Sequence, residues 1–339
     1  MDRAEAPLFT TQPWRRIRVL TALFALVLAF PAAAAEAPPR PTLASSHSLA
    51  GRIWQPSTRT WLSPEDLMAE ILAAGMVILG ETHDNPDHHA VQAWVVRRLG
   101  AAGRRPLTAF EMMDTDEQGK IDATLAAHPG QADFLGEALE WNRRGWPDWP
   151  LYRPIVEATL AAKGEIKGAN LPRDLTRQIA RGGASADIEA QFGLDSPLRP
   201  TEAKAMEAEI RDGHCNMLPD SAIPGMVKVQ RARDAAMAEV LAFQATRPEA
   251  GPAVLITGSG HARTDRGVPA RTRHLLPGIP IVSLALVEAE DGETAPAAYA
   301  RLFGAQTVPF DAIWFTAKAA REDQCAQLGK HLEKKKGKE

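Results

Sequence analysis

Glu81 and His83 lie two residues apart in GMVILGETHDNPDHHAVQ, which runs from Gly75 to Gln92. In extended chain such a pair points to one side. A carboxylate beside an imidazole can move protons, share a divalent cation or hydrogen-bond a polar ligand. Three other places offer related groups: Glu111 ends LTAFE, Asn170 ends IKGAN, and His261 follows VLITGSG. The glycines flanking Ser259 suggest that something approaches the backbone closely there. His88 and His89 follow soon after His83, and one of the two is expected in a solvated first helical turn.

These groups need strands to hold them. Met76, Val77, Ile78 and Leu79 form a short apolar run, the pattern of a strand covered on both faces. Gly80 is read as a sharp turn, Asp84 or Asn85 as an N-cap, and Pro86 as the start of a helix reaching Leu99. Further strands are expected at 107–111, 166–170, 254–257, 281–287 and 313–316, with a weaker one at 52–54. Helices are expected from Ser63 to Ala73 and over 174–181, 201–212 and 226–245. This alternation predicts an α/β fold with a doubly wound, mainly parallel sheet. The helices between 174 and 245 exceed one crossover and are expected to form a helical subdomain. Ligands collect at the carboxyl ends of strands in such sheets, so Glu81, His83, Glu111 and His261 are expected on one rim.

The ends of the chain carry different information. Arg15, Arg16 and Arg18 precede an apolar run and then Ala33-x-Ala35, so residues 1–35 read as a cleaved signal peptide. The α/β domain is placed at 36–318 and a C-terminal tail with Cys325 at 319–339, its lysine-rich end fraying. Residues 1–35 hold four of the 39 basic and two of the 42 acidic residues, leaving 35 and 40 and a net charge of −5. That balance argues against nucleic acid as a partner. In an oxidising compartment the two cysteines, Cys215 and Cys325, are expected to pair.

The segments LGETHDNPDHH, AFEMMD, WPDWPLYRPIV to GANLPRD, HCNMLPD, QRARDAAMAEVL and LITGSGHARTDRGVP, in this order, resemble the ChaN-like haem-binding uptake family, as does REDQC near the end. The paired GxxH elements, Gly80 to His83 and Gly258 to His261, are shared with a wider superfamily that includes erythromycin esterases and Tiki proteases. The resemblance implies haem as cofactor, a role in iron acquisition with an outer-membrane uptake system, and a homodimer around haem. It also implies a tyrosine on the iron, with a His and a basic side chain near the propionates. Two departures stand out. The chain has no cysteine for lipidation, and Asp311-Ala312 stands where relatives often have Asp-Tyr.

Haem needs aromatic walls, cations and an axial ligand. WNRRGWPDWPLYR offers Trp141, Trp146 and Trp149 as walls, Arg143, Arg144 and Arg153 as cations, and Tyr152 as ligand. A guanidinium such as Arg153 would favour the phenolate. His214, beside Cys215, is a further propionate or axial candidate, and Arg233 or Lys228 could meet a propionate. On the helix carrying them, Gln230, Arg231, Arg233 and Asp234 are expected to form an exposed ionic face. The expected haem set is therefore Tyr152, Arg153, Trp149, Arg144, His214, His83 and His261, in a periplasmic haem-binding protein. The alternative is a metal-dependent hydrolase using Glu81, His83, Glu111 and His261. Ser259 lies in GSGH rather than G-x-S-x-G, so a serine-nucleophile elbow is not present.

Overall fold

The computed structural model describes residues 36–329 except 44, 248–250, 324 and 327. The signal-peptide expectation for 1–35 and the frayed end at 330–339 fall outside the described residues. Eight strands form one sheet: β1 (Ile53–Gln55), β2 (Thr60–Leu62), β3 (Met76–Glu81), β4 (Leu107–Asp114), β5 (Glu165–Asn170), β6 (Ala253–Gly258), β7 (Ile281–Glu288) and β8 (Ala312–Thr316), in the order β2-β1-β8-β7-β3-β6-β4-β5. The strands from β3 to β8 are parallel, and the β1–β2 hairpin joins β8 antiparallel at one edge. The sheet is mainly parallel, with helices packed on both faces.

Side-chain alternation divides the core between those faces. Val77, Leu79, Val254 and Ile256 pack on one side, and Met76, Ile78, Ala253 and Leu255 on the other. The first face is covered by α1 (Pro64–Ala73), α2 (Pro86–Ala101) and, beyond α3 (Gln118–Ala127) and α4 (Ala132–Ala138), by α5 (Trp149–Ala161). After α6 (Arg173–Ala180), α7 (Ala186–Gln191) and α8 (Pro200–Gly213), the long α9 (Ile223–Ala245) brings Met237, Ala238 and Leu241 to the second face, and α10 (Val268–Leu275) adds Val268. Two smaller apolar clusters lie between α9 and the helices before it: Ile179 and Phe192 with Val229, and Met206 and Ile210 with Ile223. Among the described residues no helix is long and apolar enough to cross a membrane.

Local chemistry sets several boundaries. Ser63 caps α1 with a capping box completed by Asp66, and Pro64 opens the helix. Asn85, not Asp84, caps α2, its side chain accepting from the Asp87 backbone N–H at 3.0 Å. Gly80 does not turn the chain. It lies inside β3, where a Cβ would come within 2.7 Å of the Ala262 Cβ, so close packing of the β6–α10 connection explains it. At the free edge, the Gln118 amide donates to the Ile166 carbonyl at 3.1 Å and accepts from the Gly168 N–H at 3.0 Å, which covers part of β5. Cys215 and Cys325 are bonded, with Cα atoms 5.5 Å apart, and join the end of α8 to the C-terminal segment.

Candidate functional site

Sheet register brings the strand-end groups together. Glu81 of β3 pairs with Gly258 of β6, and Phe110 of β4 pairs with Ile256 on the other side of β6. Glu111, one residue on, therefore comes level with Thr257. Glu81 and Glu111 flank the end of β6, and His261 follows in the turn. All three are buried.

Glu81 is the centre of a dense network. Its Oε1 accepts from the Tyr152 hydroxyl at 3.0 Å and lies 2.8 Å from His83 Nδ1. Its Oε2 accepts from Gln92 Nε2 at 2.6 Å and lies 3.3 Å from His89 Nδ1. Burial alone would raise the Glu81 carboxyl, but His89, His83 and Gln92 outweigh it and hold it low. For His83, burial opposes the charge, while the bond to Glu81 and the field of Glu111 raise it to about 9. Glu111 is also pulled down against its burial, to about 2, by His261, His83, the Gly258 N–H and the Thr257 hydroxyl. The last two donate to its Oε2 at 2.8 Å.

His261 closes the arrangement. Its Nδ1 lies 2.7 Å from Asp234 Oδ1 and its Nε2 3.5 Å from Glu111 Oε1. Burial pushes the Asp234 carboxyl up to about 6 although His261 opposes the shift. Burial would lower His261, and Glu111 with Asp234 reverse that. Asp234 thus corrects the expected exposed ionic face of α9. It lies on the helix face of Met237, Ala238 and Leu241, a spacing that places it inward. The close approach anticipated at the Gly-Ser-Gly turn is also real. A Cβ on Gly258 would sit 3.1 Å from His83 Nε2, so the neighbour is this protein's own imidazole.

Above this network lies a cleft of about 750 Å³, lined by His83, Trp146, Leu302 and Phe303, by Lys318 and Arg321, and by the acids Asp84, Glu288 and Glu290. The His83 side chain is 34% exposed, and its ring meets Trp146 edge-on at 5.0 Å. Arg321 binds both Asp84, at 2.8 Å, and Glu288, at 2.7 Å. His88 and His89 are both buried, against the expectation of a solvated turn. His88 accepts from the Thr82 N–H at 2.9 Å and faces the Thr316 hydroxyl at 2.8 Å.

The WNRRGWPDWPLYR stretch does not act as one unit. Tyr152 is fully buried, its hydroxyl engaged by Glu81 and its ring against His89 at 4.4 Å. Burial and that carboxylate raise the phenol, the reverse of the expected activation by Arg153. Arg153 faces away, pairing with Asp133 and Glu157 at 3.4 Å. Trp149 packs onto Gly136 and Trp141. Arg144 pairs with Glu117 at 2.6 Å, and His214 Nδ1 lies 2.7 Å from the Ile210 carbonyl oxygen at the end of α8. Of the expected haem set, His83 alone lines the cleft, with Trp146 from the wider group of walls. Glu81, His83, Glu111 and His261 do converge. Among the described residues, however, no group of three or more His, Cys, Asp or Glu is arranged to hold a metal ion.

A family profile described as haem-binding uptake, Tiki superfamily, ChaN matches residues 67–272. The chain belongs to this family. Among solved structures the ChaN-family chain is similar to ChaN of Campylobacter jejuni, described as showing cofacial heme binding. The two share 23% identity over 77% of this chain and 95% of that one, with a TM-score of 0.59. That likeness establishes a shared fold. The chain is also similar to the type III effector HopBA1, at 13% identity over 75% of this chain and 93% of that one, with a TM-score of 0.41. An erythromycin esterase in its open conformation matches at 12% over 77% and 95%, with a TM-score of 0.41. No curated protein matches the chain.

Proposed function

We propose that this ChaN-family protein binds haem in the His83 cleft and serves haem or iron uptake in the periplasm. The observation that carries the reading is the state of His83. Glu81 holds its Nδ1, its Nε2 has no hydrogen-bond partner among the described residues, and its half-buried ring lines the cleft. A carboxylate that fixes one ring nitrogen orients the other toward a metal. The cleft volume falls within the roughly 300–1,000 Å³ usual for cofactor pockets. Trp146, Leu302 and Phe303 supply the apolar wall that a porphyrin needs, and Lys318 a cation for its carboxylates, Arg321 being already paired with Asp84 and Glu288.

In this reading His83 would hold the haem iron through Nε2 on giving up the proton that Glu81 and Glu111 keep on its ring up to about pH 9, and Tyr152 acts from behind by holding Glu81. A second copy of the chain covers the other face of the porphyrin, giving a homodimer around haem. An outer-membrane uptake system supplies the haem. The second reading, a metal-dependent hydrolase on Glu81, His83, Glu111 and His261, draws support from the approach of His261 to Glu111.

Haem titration with elemental analysis separates the two. A saturable Soret band with no zinc or manganese supports haem binding. Bound metal accompanied by ester or peptide hydrolysis, without a Soret band, supports the hydrolase. N-terminal sequencing of the protein recovered from a periplasmic extract tests export, with a new terminus near Glu36 expected.

A further inference from the structure

The carboxyl ends of β4 and β5 open onto a second cavity, of about 290 Å³, which shares only Trp146 with the His83 cleft. Its polar lining includes Asp114, Asn170 and the guanidinium groups of Arg144, Arg173, Arg177 and Arg233. Two of these cations are committed, Arg144 to Glu117 at 2.6 Å and Arg177 to Asp174. The other two are not. Arg173 makes only a 3.4 Å contact with the Arg144 carbonyl oxygen and has no carboxylate within ion-pair distance. Arg233 has no hydrogen-bond partner among the described residues, and its Nε is shut off from solvent. Asp114, 3.8 Å from Arg144, is the one acid in the lining. Asn170 Oδ1 accepts from the Leu171 N–H at 2.9 Å, leaving its Nδ2 as a further donor.

Buried guanidinium N–H groups without an acceptor are costly and normally satisfied. Two guanidinium nitrogens of this lining, Arg144 Nε and Arg233 Nε, are buried without an acceptor, and the exposed Arg173 brings a further cation to a space whose one acid is Asp114. We propose that this cavity binds a small molecule bearing oxyanion groups, a phosphate ester or a polycarboxylate, held between Arg173 and Arg233 with Asn170 as an additional donor. Guanidinium forks fit both chemistries because each offers paired oxygens. The site is separate from the His83 cleft and does not depend on haem.

The test is isothermal titration of the full chain, haem-free and haem-loaded, in phosphate-free buffer of low salt. The probes are inorganic phosphate, glucose 6-phosphate and citrate. One-to-one binding of glucose 6-phosphate or citrate is expected in both forms of the protein. Arg173→Gln and Arg233→Gln should each weaken it by about tenfold or more, the loss of a charge-assisted bond. Binding by glucose 6-phosphate alone assigns a phosphate ester, and by citrate alone a polycarboxylate. Arg173 is exposed, so its variant keeps the test valid if Arg233→Gln fails to fold, as judged by circular dichroism. No binding of any probe at millimolar concentration, affinity unchanged in Arg173→Gln, or displacement of the probe by haem would overturn the proposal.

Discussion

Glu81 determines how its neighbours behave. One carboxylate engages Tyr152, His83 and Gln92 directly, with His89 close by, so groups that look independent in sequence share one electrostatic centre. Removing the phenol hydroxyl in Tyr152→Phe leaves Glu81 its other partners. Chemical denaturation should show a loss of about 1 kcal/mol, the usual worth of one such bond. His88 gives a pH prediction. Burial lowers it to about 3, so the folded state keeps the ring neutral while the unfolded chain protonates near 6.5. The folded state therefore binds fewer protons, and this contribution to stability is present above 6.5 and lost as pH falls toward 3. The slope approaches roughly 1.4 kcal/mol per pH unit inside that window. Urea unfolding at pH 7 and pH 5 should show the decline, and His88→Gln should flatten it.

Strands and their connections place these residues, and here the sequence is readable to an uneven degree. Continuous apolar runs marked β3, β4, β6 and β7 because a strand covered on both faces has little room for polar side chains. The convergence of Glu81, Glu111 and His261 followed from their common position at strand ends. What a run of apolar residues does not contain is register, nor which partner a distant helix supplies. Asp234 meets His261 only after α9 packs on the sheet, although its spacing to Met237 and Leu241 carried a signal. The aromatic stretch misled because packed and open tyrosines share one local pattern, and only tertiary packing buries Tyr152 behind Glu81. Gly80 was misread for a similar reason, since its contact is with Ala262, far along the chain. Gly80→Ala should destabilise the protein by about 1–3 kcal/mol through overpacking, read by thermal or urea unfolding. The Cys215–Cys325 bond closes a separation of 110 residues. Replacing both by serine should cost about 2–4 kcal/mol, seen as a lower unfolding midpoint that reductant no longer changes.

For the molecule as a whole, the fold sets an acidic and imidazole network behind a cleft lined by apolar side chains, by Lys318 and by an Arg321 paired with Asp84 and Glu288. The proposed reading takes its ligand class from the family and its presented side chain from the network. His83 lines the cleft with a half-buried ring, and the buried Tyr152 stands behind Glu81. Haem titration of three proteins, wild type, His83→Ala and Tyr152→Phe, followed in the Soret region, tests this arrangement directly. The account predicts saturable binding in the wild type, a nearly unchanged spectrum and affinity in Tyr152→Phe, and a displaced, weakened Soret band in His83→Ala. A spectrum indifferent to His83→Ala but altered in Tyr152→Phe would contradict it.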